Sequence, residues 1–239
     1  MGAHRRDRCL TGGVSEFAYS NLTGRPPGRL ITMAGRFLPG IRRVQAQVEP
    51  YARAWEERNR AAMASAGPLW VALGDSMAQG IGASAPEQGW VGQLARHLPD
   101  HRLVNLSLSG GRVEDVLDRQ LPAMDALPEV PDLVTCLVGA NDLMNPKHRE
   151  GVGGRYSKLV DRLPPGTVIG NQPGTFDAAL EINDIIDEAV ARRGLVLADL
   201  RDPRTRHWRG KLSPDHFHPN EHGYAGITAV FAEALAHSS

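Results

Sequence analysis

A chain of 239 residues is long enough for one large domain or for a domain with an extension, and 41% hydrophobic with 23% charged residues is typical of a globular protein. Lys and Arg together number 27, as do Asp and Glu, so the formal net charge is zero and nothing favours nucleic acid as a partner. The sequence has no run of about 18 apolar residues, so we expect no transmembrane segment. The N-terminus lacks the apolar core of a secretory signal, and a disulfide between the widely separated Cys9 and Cys136 is not expected, which together favour a cytoplasmic protein.

Residues 1–36 are predicted to form a disordered tail. Residues 1–33 are rich in Arg, Gly, Pro and Ser, a composition that offers little apolar surface to bury. The composition leaves open whether Met33 is the start of translation.

A helix is predicted over residues 37–63, within an extension that covers residues 37–65. Its apolar residues recur every three or four positions, which places them on one helical face: Leu38, Ile41, Val44, Val48, Tyr51 and Trp55. We interpret this face as a surface that packs on the main domain or on a second copy of the chain. Flanking arginines leave a membrane-surface helix as an alternative, which the mixed charge of the polar face disfavours.

Strands and helices alternate from residue 69 onwards, within a domain predicted over residues 66–239. Short apolar runs are predicted as strands at Leu69–Leu73, Leu103–Ser107, Leu133–Val138, Thr167–Gly170 and Leu195–Asp199. Helical periodicity lies between them, which implies right-handed crossovers and a parallel sheet covered on both faces. We therefore predict an α/β fold with a flavodoxin-like doubly wound five-stranded sheet of order 2-1-3-4-5.

Polar residues follow three of the predicted strands at the point where each strand ends. Gly74-Asp75-Ser76 follows the first strand, a turn with Gly110 follows the second, and a turn with Asn141 follows the third. The carboxyl ends of parallel strands form the edge where such folds bind ligands. Glycine lets a backbone N–H approach an anion, and an asparagine amide offers two donors. Donors around a serine oxygen make an oxyanion hole, which stabilises the tetrahedral intermediate of acyl transfer.

A fourth polar segment, residues 213–220, lies just before the last predicted helix. Asp215 and His218 are three positions apart in it, so the carboxylate can reach the imidazole. A carboxylate on Nδ1–H fixes the tautomer and leaves Nε2 free to take a proton from a serine. We therefore predict Ser76 as nucleophile, His218 as general base and then acid, and Asp215 as the carboxylate that orients His218.

Together these segments resemble the four sequence blocks of the SGNH hydrolases, also called the GDSL lipase/esterase family. The matching residues occur in the family's order and rough spacing: Gly74-Asp75-Ser76, Gly110, Gly139-Ala140-Asn141-Asp142 and Asp215-His216-Phe217-His218-Pro219. The resemblance implies a three-layer α/β/α fold and hydrolysis of a small-molecule ester without a metal or organic cofactor. It also implies an oxyanion hole made by the N–H groups of Ser76 and Gly110 and the side chain of Asn141. Met77 is a departure, since it stands where the family name has leucine.

Other interpretations of these residues stay open. Ser76 and Asn141 are residue types that turns favour, and Asp75 is better explained as holding its turn than as a catalytic group. A metal site is a further alternative, built from acidic and histidine residues of one segment: Asp215, His216, His218, Glu221 and His222.

The function that we expect is hydrolysis of short acyl esters or of lysophospholipid-like substrates. An O-acyltransferase that uses the same serine and a catalytically silent ligand-binding module are the alternatives. For the hydrolase, activity is expected to fall at low pH, when the imidazole of His218 becomes charged.

Overall fold

The computed structural model describes residues 17–26, 33, 35 and 37–238. Its centre is a five-stranded parallel sheet with the order β2-β1-β3-β4-β5. The strands are β1 (Leu69–Gly74), β2 (Arg102–Asn105), β3 (Leu133–Leu137), β4 (Val168–Gly170) and β5 (Val196–Ala198). The predicted fold class and strand order are confirmed, with strand ends that differ by one or two residues from the predicted ones.

The described helices surround this sheet. They are α1 (Pro39–Gln45), α2 (Val48–Met63), α3 (Ser76–Gln79), α4 (Trp90–Ala95), α5 (Val113–Asp115), α6 (Leu121–Asp125), α7 (Ala140–Met144), α8 (Pro146–Arg149), α9 (Val152–Arg162), α10 (Asp177–Arg193) and α11 (Glu221–Ser238). Short 3₁₀ turns lie at Pro86–Gln88 and Pro203–Thr205, and a π-helical turn at Val116–Gln120 joins α5 to α6. Within the described parts of the chain, no helix is both long enough and apolar enough to span a bilayer.

The two faces of the sheet are buried by different helices. Side chains alternate along a strand, so Leu69, Val71 and Leu73 of β1 pack in the core that α5, α6, α9 and α10 cover. Trp70 and Ala72 point to the opposite face, where they pack with α4 and α11. Because both faces are covered, every residue of β1 is buried, as expected for a central parallel strand.

The helix predicted over residues 37–63 is divided in the structure into α1 and α2. Pro50 lies in the first turn of α2, and its ring would clash with the carbonyl of Ala46 in a continuous helix. The break at residues 46–47 follows from that clash. Val44, Tyr51 and Trp55 of the predicted apolar face are buried, and Trp55 Nε1 donates to the Gln79 carbonyl, so this part of the face contacts the main domain. Leu38, at the start of the face, is exposed.

Part of the predicted disordered tail is bound to the domain in the structure. Residues 17–26 run beyond the end of β2, where Tyr19 Oη donates to the Leu106 carbonyl at 2.6 Å and Asn21 is fully buried. Phe17 and Tyr19 pack against the core, and polar side chains add hydrogen bonds, which a count of apolar residues does not reveal. The rest of the predicted tail lies outside the described residues, except for positions 33 and 35.

Candidate active site

Ser76 lies at the carboxyl end of β1, as the first residue of α3. The strand ends at Gly74, where φ is 156° and a Cβ would lie 2.5 Å from the Leu137 carbonyl oxygen, so only glycine fits. Asp75 caps α3, since its carboxylate accepts a 2.9 Å hydrogen bond from the N–H of Met77. These contacts fix Ser76 at the edge of the sheet, with 6% of its surface exposed.

Ser76, His218 and Asp215 form a continuous chain of hydrogen bonds. His218 Nε2 lies 3.0 Å from Ser76 Oγ, and His218 Nδ1 lies 2.6 Å from Asp215 Oδ2. An ionised carboxylate can only accept, so Nδ1 carries the proton and Nε2 accepts from the serine hydroxyl. The structure thus brings together the three residues that the sequence predicts, in the order of contact that proton transfer from a serine needs.

Asp215 is held as an anion by several donors. Besides the bond to His218 Nδ1, it accepts hydrogen bonds from Ser213 Oγ at 2.7 Å and from the N–H groups of Phe217 and His218, each at 3.0 Å. Burial alone would raise the pKa of Asp215, but the bonds from His218 and Ser213 outweigh it and hold that pKa well below its ordinary range. Asp215 can therefore stabilise a positive charge on the His218 ring at neutral pH.

A closed loop sets the spacing of Asp215 and His218. The Ser213 N–H donates to the His218 carbonyl at 2.8 Å, and an antiparallel bridge joins Leu212 to Pro219. Between these fixed ends His216 adopts a φ of 57°, a left-handed conformation that is uncommon outside glycine. The strained turn keeps the carboxylate and the imidazole within hydrogen-bond distance.

The turn after β2 supplies a free backbone donor. Leu108 to Gly111 form a β-turn closed by a 2.8 Å bond from the Gly111 N–H to the Leu108 carbonyl, with Gly110 at a φ of 71°. We call residues 108–111 the oxyanion turn. Among the described residues, the Gly110 N–H meets no acceptor, whereas the Gly111 N–H is engaged in the turn. Gly110 is therefore the better candidate donor of the two glycines.

Asn141 lies in the first turn of α7, the short helix after β3, on the other side of β1 from the oxyanion turn. Its Nδ2 donates to the Gly111 carbonyl at 2.8 Å, which uses one of the two amide hydrogens and fixes the side chain. The second hydrogen is left to donate elsewhere. Strands β2 and β3 both pair with β1, so the turn that carries Gly110 and the helix that carries Asn141 flank Ser76.

Asp75 and Asp142 are buried carboxyls outside the Ser76–His218–Asp215 chain. Burial raises the pKa of Asp75 to about 7, and it raises the pKa of Asp142 as well. Asp142 accepts a 3.0 Å bond from the Val113 N–H at the start of α5, whereas Asp75 Oδ2 has no hydrogen-bond partner within the described residues. Both aspartates hold turns, as expected for Asp75 from the sequence.

Sequence reasoning missed two residues that support the site, Gln120 and Ser213. Gln120 is fully buried, and its amide pairs with both backbone groups of Gly74, accepting from N–H and donating to the carbonyl at 2.8 Å each. Nothing in a lone glutamine within a helical pattern indicates this contact, because its partner lies 46 residues earlier. Ser213 offers a weak signal, since it lies two residues before Asp215 in the same turn, within reach of that carboxylate.

The alternative metal site has no support among the described residues. Both oxygens of Asp215 are engaged in hydrogen bonds, and Glu221 Oε1 accepts from the Ser84 N–H at 2.6 Å. In the parts of the chain that the structure describes, no group of three His, Cys, Asp or Glu residues is placed to hold a metal ion.

A cavity of about 1000 Å³ lies between α1 and the loop that carries His218. Its walls include Arg43 of α1, Ser84 and Trp208, but neither Ser76 nor His218 lines it.

The fold and the arrangement of serine, histidine and aspartate are together those of an α/β/α hydrolase. Residues 72–225 match the model of the GDSL-like Lipase/Acylhydrolase family, and the chain belongs to this family. The predicted resemblance is thereby confirmed, and the protein is a hydrolase that acts on esters.

Comparison with solved structures gives the same fold. LAE5, an alpha/beta hydrolase enzyme from the metagenome of Lake Arreo, Spain, is 24% identical with a TM-score of 0.54, over 73% of this chain and 98% of its own. TesA is 20% identical with a TM-score of 0.57, over 72% of this chain and 99% of its own. The salicylyl-acyltransferase SsfX3 from a tetracycline biosynthetic pathway is 19% identical with a TM-score of 0.54, over 72% of this chain and 55% of its own. At such identities these likenesses show the fold alone. Comparison with curated proteins finds no match.

Proposed function

We propose that the protein is a serine esterase in which Ser76 forms a covalent acyl intermediate. Ser76 Oγ attacks the acyl carbonyl carbon while its proton passes to Nε2 of His218. The resulting imidazolium is stabilised by Asp215 and then donates that proton to the departing alkoxide, so the ester C–O bond breaks and an alcohol leaves. Water then attacks the acyl group, His218 takes the water proton, and release of the acid restores the Ser76 hydroxyl.

The oxyanion of each tetrahedral intermediate is stabilised by three donors in this proposal. They are the N–H of Ser76, the N–H of Gly110 and the second amide hydrogen of Asn141. The free state of the Gly110 N–H among the described residues and the fixed Asn141 side chain support these assignments.

The observation that carries the proposal is the pair of distances at His218, 3.0 Å from Nε2 to Ser76 Oγ and 2.6 Å from Nδ1 to Asp215 Oδ2. Turnover of p-nitrophenyl acetate by Ser76→Ala tests it, with exposed Ser65→Ala as the matched control. We expect Ser76→Ala to lose kcat by at least about a thousandfold and Ser65→Ala to keep it. A folded wild type that neither turns over nor reacts with a fluorophosphonate would instead favour a silent ligand-binding module.

An acyltransferase would use the same acyl intermediate and differ only in the acceptor. Product analysis in the presence of butanol or glycerol separates the two activities. Free acid as the main product supports the esterase, whereas an ester of the added alcohol as the main product supports the acyltransferase.

For the substrate, we propose short acyl esters or lysophospholipid-like esters. Phe217 is 40% exposed and lies edge-on to the His218 ring, with the ring centroids 4.8 Å apart. An exposed aromatic beside the base offers an acyl chain an apolar wall, worth about 0.8 kcal/mol for each methylene that it covers.

Phe217→Ala is expected to lower kcat/KM for p-nitrophenyl octanoate about fifteenfold more than for p-nitrophenyl acetate, because two covered methylenes are worth about 1.6 kcal/mol. A series of acyl chains from C2 to C16 measures the change. Exposed Phe176→Ala is the matched control, and an unchanged chain-length profile in Phe217→Ala would place the acyl wall elsewhere.

A further inference from the structure

Residues 17–26 form an extended segment that precedes the family-matched region, and we call it the strap. Its central residue, Asn21, is fully buried, and its Nδ2 donates to the carbonyls of Asn105 and Ser107 at 2.8 Å each. The Asn21 carbonyl accepts from Gln79 Nε2 at 2.8 Å, and Gln79 lies at the end of the helix that begins with Ser76. The strap is thus bound to the end of β2 and to α3, the helix that carries Ser76.

Further along the strap, backbone carbonyls and one guanidinium continue the attachment. Arg119 donates to the carbonyls of Leu22 and Thr23 at 3.0 and 3.1 Å. The strap then reaches the oxyanion turn through Arg25, whose Nη2 donates to the Gly110 carbonyl at 3.2 Å. The same guanidinium forms a two-pronged ion pair with Asp115, with distances of 3.0 and 2.5 Å.

Asp115 connects this ion pair to the other end of the turn. Its Oδ2 also accepts from the Arg112 N–H at 2.8 Å, so one carboxylate holds both Arg25 and the residue that follows the turn. Asp115 is buried, whereas Arg25 is partly exposed. The glycine pair at 110–111 is therefore held from the strap side at the Gly110 carbonyl and from the helix side at Arg112.

We propose that Arg25 is a positioning residue for the oxyanion turn, through its contacts with the Gly110 carbonyl and Asp115. The inference rests on the proposed function, in which the Gly110 N–H stabilises the oxyanion. Two consecutive glycines leave a backbone free to rotate, and a donor that must reorganise during the reaction stabilises charge less than a fixed one. A planar guanidinium that grips a carboxylate at two points while bonding a carbonyl removes that freedom.

Steady-state kinetics of Arg25→Ala on p-nitrophenyl acetate provide the first test. We expect kcat to fall about tenfold with KM within about twofold, because the ground-state ester does not need the oxyanion donor. Arg25→Lys is expected to recover part of kcat, and millimolar ethylguanidinium is expected to recover part of it in Arg25→Ala. Exposed Arg53→Ala, which removes an ion pair with Glu49 in α2, is the matched control.

Hydrogen exchange gives a second readout that needs no activity. Peptides that cover residues 106–116 are expected to exchange faster in Arg25→Ala than in the wild type or Arg53→Ala. The Gly111 N–H closes the oxyanion turn, and the Arg112 N–H is held by Asp115, the partner of Arg25. Unchanged exchange there, or unchanged kcat in an otherwise active enzyme, would overturn the inference. If the wild type has no esterase activity but residues 106–116 still exchange faster in Arg25→Ala, the proposed function is rejected. The role of Arg25 in holding the turn then still stands.

Discussion

Two aspartates near Ser76 differ in ionisation because they differ in donors. Asp215 accepts from His218, Ser213 and backbone N–H groups, and its pKa lies well below the ordinary range in spite of burial. Asp75 is fully buried with the Met77 N–H as its main donor, and burial raises its pKa to about 7. Adjacency to the serine is therefore a poor guide to the carboxylate that works with His218.

The raised pKa of Asp75 predicts a pH dependence of stability. Since the pKa is about 7 in the fold and near its ordinary value when unfolded, the contribution of Asp75 is complete below about pH 4 and is lost as pH rises to about 7. The free energy of unfolding of the wild type, relative to Asp75→Asn, should fall by about 1–4 kcal/mol across that range. Urea unfolding at several pH values measures it, with exposed Asp184→Asn as control. A wild type that becomes more stable relative to Asp75→Asn as the pH rises would contradict a raised pKa.

Asn141 tests the oxyanion assignment at a single donor. Asn141→Asp keeps the size of the side chain but replaces the amide by an acceptor, so kcat should fall by about 10²–10³ with little change in KM. Steady-state kinetics and a melting curve are the measurements. If thermal stability falls far enough to account for the fall in kcat, the main role of Asn141 is its bond to the Gly111 carbonyl.

At the scale of elements, the site depends on how each strand ends. The π-helical turn at Val116–Gln120 brings the Gln120 amide onto both backbone groups of Gly74. Pro122 lies just after it and cannot donate to the carbonyl four residues back, which explains why the helix widens there. A helix irregularity thus anchors the strand end that carries Ser76.

Gln120→Ala should leave the N–H of Gly74 without this partner and its carbonyl with the Leu108 N–H alone among the described residues. We expect a loss of about 1–3 kcal/mol in the free energy of unfolding, because both groups are buried. We also expect a lower kcat, because the Ser76 turn loses its support. Gln88→Ala, a partly exposed glutamine, is the control for urea unfolding and kinetics. Equal stability of the two variants would show that water replaces the amide.

For the whole molecule, local patterns in the sequence predict the sheet order and the positions of Ser76, Asp215 and His218. Apolar runs and their spacing determine the strands, and a three-residue spacing within one turn brings Asp215 to His218. Such features depend on neighbours in the chain or on general rules for parallel sheets.

Contacts between distant polar residues are not predictable in the same way. Asn21 and Arg25 bond residues more than 80 positions away, and a polar segment gives no periodic signal for such pairing. The break between α1 and α2, in contrast, has a signal in the sequence, which is Pro50. The apolar periodicity continues across this proline, and it therefore predicts one helix where the structure has two. Periodicity alone therefore overestimates helix length where a proline interrupts the backbone bonding.

Covalent labelling tests most directly whether Ser76 is the nucleophile. The wild type is incubated with a fluorophosphonate, and the adduct is located by intact mass and peptide mapping, with Ser76→Ala and Ser65→Ala in parallel. We predict one adduct, on Ser76, in the wild type and in Ser65→Ala, and none in Ser76→Ala. An adduct on another residue, or esterase activity that survives in Ser76→Ala, would contradict the account.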